Sequence, residues 1–132
     1  MAVMTLRLAQ WLAKQKHKRF EWGKNDCCTM VLAAHDHLYR TDTLSIAYDK
    51  YNSAKGAYKF ARELGIQDYA RKIGYRQVEL PAEDGDLIMV QHKLGFYLHI
   101  VLNGCIYSMD PQVGMVKAQL NTLTDTYTIW RF

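Results

Sequence analysis

After Gly74 the texture of the chain changes. From there on, short apolar runs at 76–80, 86–91, 96–102, 105–109, 114–117 and 127–132 are separated by Pro81, Gly85, Gly95, Asn103-Gly104 and Asp110-Pro111. Runs of this length between turn formers read as strands. Asn103-Gly104 between two apolar runs is a strong two-residue hairpin signal, because both positions of such a turn need positive φ. The first half reads as helices. Residues 5–16 carry an apolar stripe of Leu6, Ala9, Leu12 and Ala13, and Asp26 opens a second helix reaching about Tyr39. Ser53 caps a third helix that Gly65 ends, and a short helical turn covers 68–72. Residues 41–52 read as an irregular connection. Helices first and an antiparallel meander second predict an α+β fold, N-terminal helices packed on a C-terminal antiparallel sheet. With no linker, repeat or low-complexity tract, residues 1–132 read as a single domain.

Composition narrows the function classes. The chain is 49% hydrophobic and carries 17 basic against 13 acidic residues, a net charge of +4, which fits a folded domain and argues against disorder. Much of the basic excess lies in Lys14, Lys16, Lys18 and Arg19. A solvated helix end accounts for that run better than nucleic acid or an anionic polymer does, so nucleic-acid binding is not expected. No apolar run approaches the roughly 18 residues of a membrane span. The first dozen residues lack the pattern of a signal peptide. Three cysteines, two of them adjacent, suit a reducing compartment better than a disulfide framework. No C-x-x-C occurs, and His35-x-His37 on a helix points its rings to different faces, so neither a metal nor a cofactor is expected.

One cysteine stands apart. In Phe20-Glu21-Trp22-Gly23-Lys24-Asn25-Asp26-Cys27-Cys28, Asp26 is a good N-cap and Cys27 the first helical residue. There the unpaired N–H groups and the helix dipole favour a thiolate, the form that attacks carbonyl carbon. On the second helix Cys27 shares a face with Met30, Val31, Ala34 and Leu38, so its thiol leaves the chain on the buried side. A cysteine nucleophile needs a base and often a third group to orient it. His17, His35 and His37 cannot easily reach Cys27. His99, in a strand, is the candidate base, and Ser108 on the next strand or Asp110 just past its end could hold it. Trp22 could wall a substrate groove. Cys28 and Cys105 read as core, His35 as a satisfied helix histidine, and turn chemistry accounts for Asp84, Asp86 and Asp110.

These residues resemble the NlpC-type branch of the papain-like cysteine peptidases. There an Asp-Cys pair starts a helix packed on an antiparallel sheet, with histidine on one strand and a polar residue on the next. Asp26-Cys27 matches the first element, Asp84-Gly85-Asp86-Leu87-Ile88 the entry to the sheet, and Asn103-Gly104 the hairpin. A narrower resemblance covers nearly the whole chain: Phe-x-Trp-Gly-x-x-Asp-Cys-Cys, Tyr51-x-Ser53-Ala54-x-Gly56-Ala57, Gly65, Gly74, Gly85-Asp86 and Trp130-Arg131 are similar to a divergent NlpC-like family of phages and prophages, found among tail-assembly genes. Counted back from Asn103-Gly104, the parent family's histidine position falls on Phe96. Phe96 and His99 are an odd number apart and point to opposite faces of a regular strand. Either a shorter hairpin brings His99 into the site, or the base has been lost.

The resemblance implies two functions. The first is a tail-associated cysteine peptidase that cleaves peptidoglycan stem peptides, with Cys27 attacking the amide, His99 protonating the leaving amine and Ser108 or Asp110 holding the imidazole. The second is a catalytically inactive structural or assembly component of a phage tail tip. Either would be made in the host cytoplasm and carried in the virion tail, with tail proteins, and in the first case peptidoglycan, as partners. An inhibitor or immunity-type binding protein is a third reading, for which the basic first helix would meet an acidic partner.

Overall fold

The computed structural model describes residues 2–132. Four helices, α1 (Ala2–Gln15), α2 (Cys27–Tyr39), α3 (Ala54–Leu64) and α4 (Ile66–Lys72), precede β1 (Arg76–Val78), β2 (Leu87–His92), β3 (Gly95–Leu102), β4 (Cys105–Asp110), β5 (Gly114–Gln119) and β6 (Tyr127–Arg131). The fold is therefore α+β, helices followed by an antiparallel sheet. A single 3-10 turn, Leu44–Ile46, interrupts the connection between α2 and α3.

The sheet is not the plain meander expected. Its order is β1-β6-β2-β3-β4-β5, so the last strand returns to lie between β1 and β2. Every pairing is antiparallel. The Asn103-Gly104 turn forms with Leu102 opposite Cys105, both turn residues at positive φ (52° and 74°), as a two-residue hairpin of this composition requires.

Alternation along the strands builds two apolar layers. Leu87, Met89, Leu98, Ile100, Met109 and Trp130 face the helices and join Met30, Val31, Ala34 and Leu38 of α2 and Leu8 and Leu12 of α1. On the opposite face, Ile88, Val90, Val101, Ile106 and Ile129 pack beneath Leu120, which lies on a 3-10 turn after β5. The α1 stripe is rotated from the one expected. Leu8 and Leu12 are buried, while Leu6 is 59% exposed and Ala13 faces solvent.

Helix α2 begins where its sequence says it should. The Asp26 carboxylate accepts from Thr29 N–H (2.9 Å), and Thr29 Oγ1 accepts from Asp26 N–H (2.8 Å), a reciprocal capping box. Arg40 in the left-handed region closes the helix. This start places Cys27 at the rim of the main core.

Candidate functional site

Asp26 does more than cap a helix. Its Oδ2 also accepts from the Gly23 N–H (2.8 Å) and from the Tyr51 hydroxyl (2.7 Å), and the carboxylate is almost fully buried. Gly23 sits at φ +82°, and a Cβ there would lie 2.0 Å from the Tyr51 carbonyl oxygen, so only glycine fits. Gly56 in turn packs its Cα against Tyr51, where a Cβ would meet the Tyr51 Cβ at 3.1 Å. The Trp-Gly-x-x-Asp-Cys-Cys and Tyr-x-Ser-Ala-x-Gly elements, far apart in sequence, are thus one hydrogen-bonded cluster around a buried carboxylate.

Beside this cluster lies a cleft of about 430 Å³. Cys27 and Cys28 line it at the start of α2, with Phe20, Trp22, Phe96 and Leu98 around them. Helix α3 forms another wall. Trp22, the expected groove residue, is half-buried there and packs edge-to-face on Phe20, ring centres 4.7 Å apart.

The expectation of an activated thiol is not met by the surroundings of Cys27. Burial pushes the thiol up, from 9.0 to about 11; the Leu98 backbone N–H lowers it, the Asp26 carboxylate raises it further, and the N–H groups of Cys28 and Cys27 give smaller relief. The helix N-terminus acts in the expected direction, but desolvation of the thiolate outweighs it. Burial also raises Cys28 well above its usual range.

His99 is not presented to Cys27 in the way a sheet packed on α2 suggested. In the register of β2 and β3 it stands opposite Ile88, a residue of the layer on the far side of the sheet from α2. Phe96 is on the helix side and packs against the core together with Cys27. The two-residue hairpin keeps the parity that separates them. Burial lowers the His99 imidazole to about 4, only partly offset by the Tyr97 backbone, and its Nδ1 is buried with no hydrogen-bond partner. His99 nevertheless borders the cleft, next to the place where the β3–β4 ladder, which runs from Leu102–Cys105 to Ile100–Tyr107, gives out.

Nor do Ser108 and Asp110 orient an imidazole. Buried Ser108 donates its hydroxyl to the Leu98 carbonyl (2.7 Å), bridging the two strands where their ladder ends. Asp110 accepts from the backbone N–H groups of Gln112 (2.8 Å) and Val113 (3.3 Å), the turn chemistry that the sequence also suggested. Both border the cleft, with the Ser108 hydroxyl and Asp110 Oδ1 bonded to the backbone.

His35 is satisfied in the core, its Nδ1 2.7 Å from the Tyr75 hydroxyl. Cys105 is half-buried and not part of either apolar layer, against the expectation of a core residue. Asp86, read as a turn former, is a buried anion held by Arg131 through Nε (2.9 Å) and Nη2 (2.8 Å). Gly85-Asp86 and Trp130-Arg131 stood out separately in the sequence, with nothing to show that they pair. Among the described residues, no three His, Cys, Asp or Glu side chains converge as metal ligands, and no helix is long and apolar enough to cross a membrane.

Comparison with protein families matches residues 2–131 to a domain of unknown function. No curated protein matches the chain.

Proposed function

The chain belongs to the DUF6950 family, and from its site we propose that it is a catalytically inactive component of a phage or prophage tail, built on a divergent NlpC-type, papain-like fold. The family resemblance of the Trp-Gly-x-x-Asp-Cys-Cys and Tyr-x-Ser-Ala-x-Gly elements supports the tail association. One observation carries the inactive reading: Phe96 occupies the helix-facing position beside Cys27, while His99 lies in register with the opposite layer. A thiol near pKa 11 with no imidazole bonded to it is a poor nucleophile at neutral pH.

The test is the pH dependence of iodoacetamide labelling at Cys27, followed by mass spectrometry of the labelled peptide. The inactive reading expects slow labelling at pH 7 and an inflection near pH 11, unchanged in His99→Gln. Phe96→His, which puts an imidazole on the helix side, should raise the neutral-pH rate by about tenfold or more. An inflection below about pH 8 that disappears in His99→Gln, together with release of new amines from purified peptidoglycan, would overturn the inactive reading.

A second reading, an active stem-peptide amidase, is favoured by one fact. Cys27 and His99 border the same cleft, and the buried His99 Nδ1 has no hydrogen-bond partner. It requires β3 and β4 to part further, so that the imidazole turns through the gap beside Ser108.

A further inference from the structure

Helix α1 buries one face, yet its outer face is not polar. Leu8, Leu12 and Gln15 are buried, whereas Val3 (72%), Leu6 (59%), Gln10 and Ala13 are exposed on the opposite side. Three of these four are apolar. At intervals of three, four and three residues they form one stripe along the helix, the spacing of a seam between two helices. Neither apolar layer of the chain includes any of the four. An apolar helix stripe is normally covered by another element.

The spacing says what can cover it. Three, four, three reads the same from either end. A second copy of α1 laid antiparallel across the stripe brings Val3 opposite Ala13 and Leu6 opposite Gln10, and the two-fold repeats both contacts.

Charge selects the same arrangement. Lys14, Lys16, Lys18 and Arg19 stand exposed at and beyond the C-terminal end of the stripe. At its N-terminal end lies Asp84, whose oxygens accept from the Thr5 hydroxyl (2.7 Å) and the Asn103 N–H (2.7 Å). Both donors are neutral and leave the carboxylate charge uncompensated. Among the described residues, no carboxylate lies within ion-pair reach of the four cations, and no cation within reach of Asp84. Helix α1 itself holds Arg7 and Lys14 but no acid. A parallel copy sets basic end on basic end. An antiparallel copy sets each basic end beside the partner's acidic end and opposes the two helix dipoles. An anionic lipid surface would suit the cations and the apolar stripe but repel Asp84.

We propose that the outer face of α1 is a homodimer interface. Two copies pair antiparallel through Val3, Leu6, Gln10 and Ala13, with the Lys14–Arg19 segment of each copy against Asp84 of the other. The stripe is only about 15 Å long, so the contact falls short of a standard interface of roughly 800 Å² per partner. The dimer is therefore weak and exchanging, with a dissociation constant on the order of 100 μM. The inference is independent of whether Cys27 is catalytic.

Sedimentation equilibrium of the full chain, from about 10 μM to about 1 mM, tests it at roughly 0.05 and 0.5 M sodium chloride. A monomer–dimer equilibrium is expected, weaker by severalfold at the higher salt. Leu6→Lys changes an exposed side chain that the dimer uses twice, and should weaken pairing at least about tenfold. Gln10→Leu sets leucine against Leu6 at both sites and should tighten it by about tenfold. In a mixture of isotope-labelled and unlabelled chain, filtered NOE spectra should connect Leu6 with Gln10 and Val3 with Ala13 between copies. A chain still monomeric at about 1 mM overturns the proposal, and its binding to phosphatidylglycerol vesicles would then assign the stripe to lipid. Dimerisation indifferent to both variants, or contacts of Val3 with Val3 between copies, overturns it equally. None of these results bears on the labelling of Cys27.

Discussion

At the scale of single residues, Asp26 organises the site. Its carboxylate accepts from Gly23, Thr29 and Tyr51, so removing it leaves an uncapped helix, a buried Gly23 N–H and a half-buried Tyr51 hydroxyl without partners. Asp26→Ala should lower stability by roughly 3 kcal/mol, the sum of a lost cap and of unsatisfied donors. Tyr51→Phe, which deletes one charge-assisted bond and leaves the other acceptor contacts in place, should cost about 1.5 kcal/mol. Urea unfolding of both variants checks the ordering; equal losses would mean that the hydroxyl of Tyr51 is the main support. The N-cap was legible in the sequence because a cap is a local matter of four residues. The Tyr51 partnership was not, since nothing in the spacing of positions 26 and 51 shows that the intervening loop folds back. The thiol of Cys27 shows the same limit from the other side. Its helix-start position predicted a lowered pKa, and burial, which depends on residues from the whole chain, reversed the sign.

At the level of elements, strand parity decides which apolar layer a side chain joins, while along 96–99, where β3 has no ladder to β4, residues of both parities border the cleft. The sequence located β3 to within one residue and set the alternative between Phe96 and His99 in terms of parity. It could not choose, because the hairpin's register depends on pairing with β4. With Leu102 opposite Cys105, His99 faces the layer of Ile88 and Val101, and burial there holds its imidazole at about 4 against an ordinary 6.5. A base whose folded pKa is depressed binds its proton more readily in the unfolded chain. Above pH 6.5 both states are neutral and the group contributes nothing to the slope. Between pH 6.5 and about 4 the unfolded state gains the proton and stability falls, by roughly 2–3 kcal/mol from this residue. Below about 4 both states are protonated and the loss from His99 is complete. Buried His35, also lowered by desolvation, adds in the same direction. His99→Gln should therefore lose less stability than the wild type between pH 7.5 and 4.5 in urea titrations. Parallel losses would show that the imidazole is hydrated in the folded state.

At the scale of the whole molecule, the last strand closes the fold. β6 enters between β1 and β2, with Trp130 fully buried opposite Leu87 and Gln77. Arg131 then reaches across to Asp86 with two hydrogen bonds and to Glu83 at 2.7 Å. The sequence marked Gly85-Asp86 and Trp130-Arg131 as separate features. That they are partners follows only from the return of β6, which interrupts the expected meander and which no local pattern encodes. Asp86 is 2% exposed, and the Arg131 guanidinium is its charged partner. Removing one member of such a pair costs far more than removing both, because a buried charge left alone keeps its full desolvation penalty. Arg131→Met should destabilise the chain by about 3–5 kcal/mol, and Asp86→Asn in the same chain should restore much of that loss. The Glu83 N–H donates to Asp86 Oδ2 at 2.8 Å, and an asparagine oxygen can still accept that bond. A double-mutant cycle by chemical denaturation measures the coupling. A coupling near zero would mean that Arg131 stabilises β6 through its packing and its bond to the Pro81 carbonyl, with Asp86 held by its backbone partner alone.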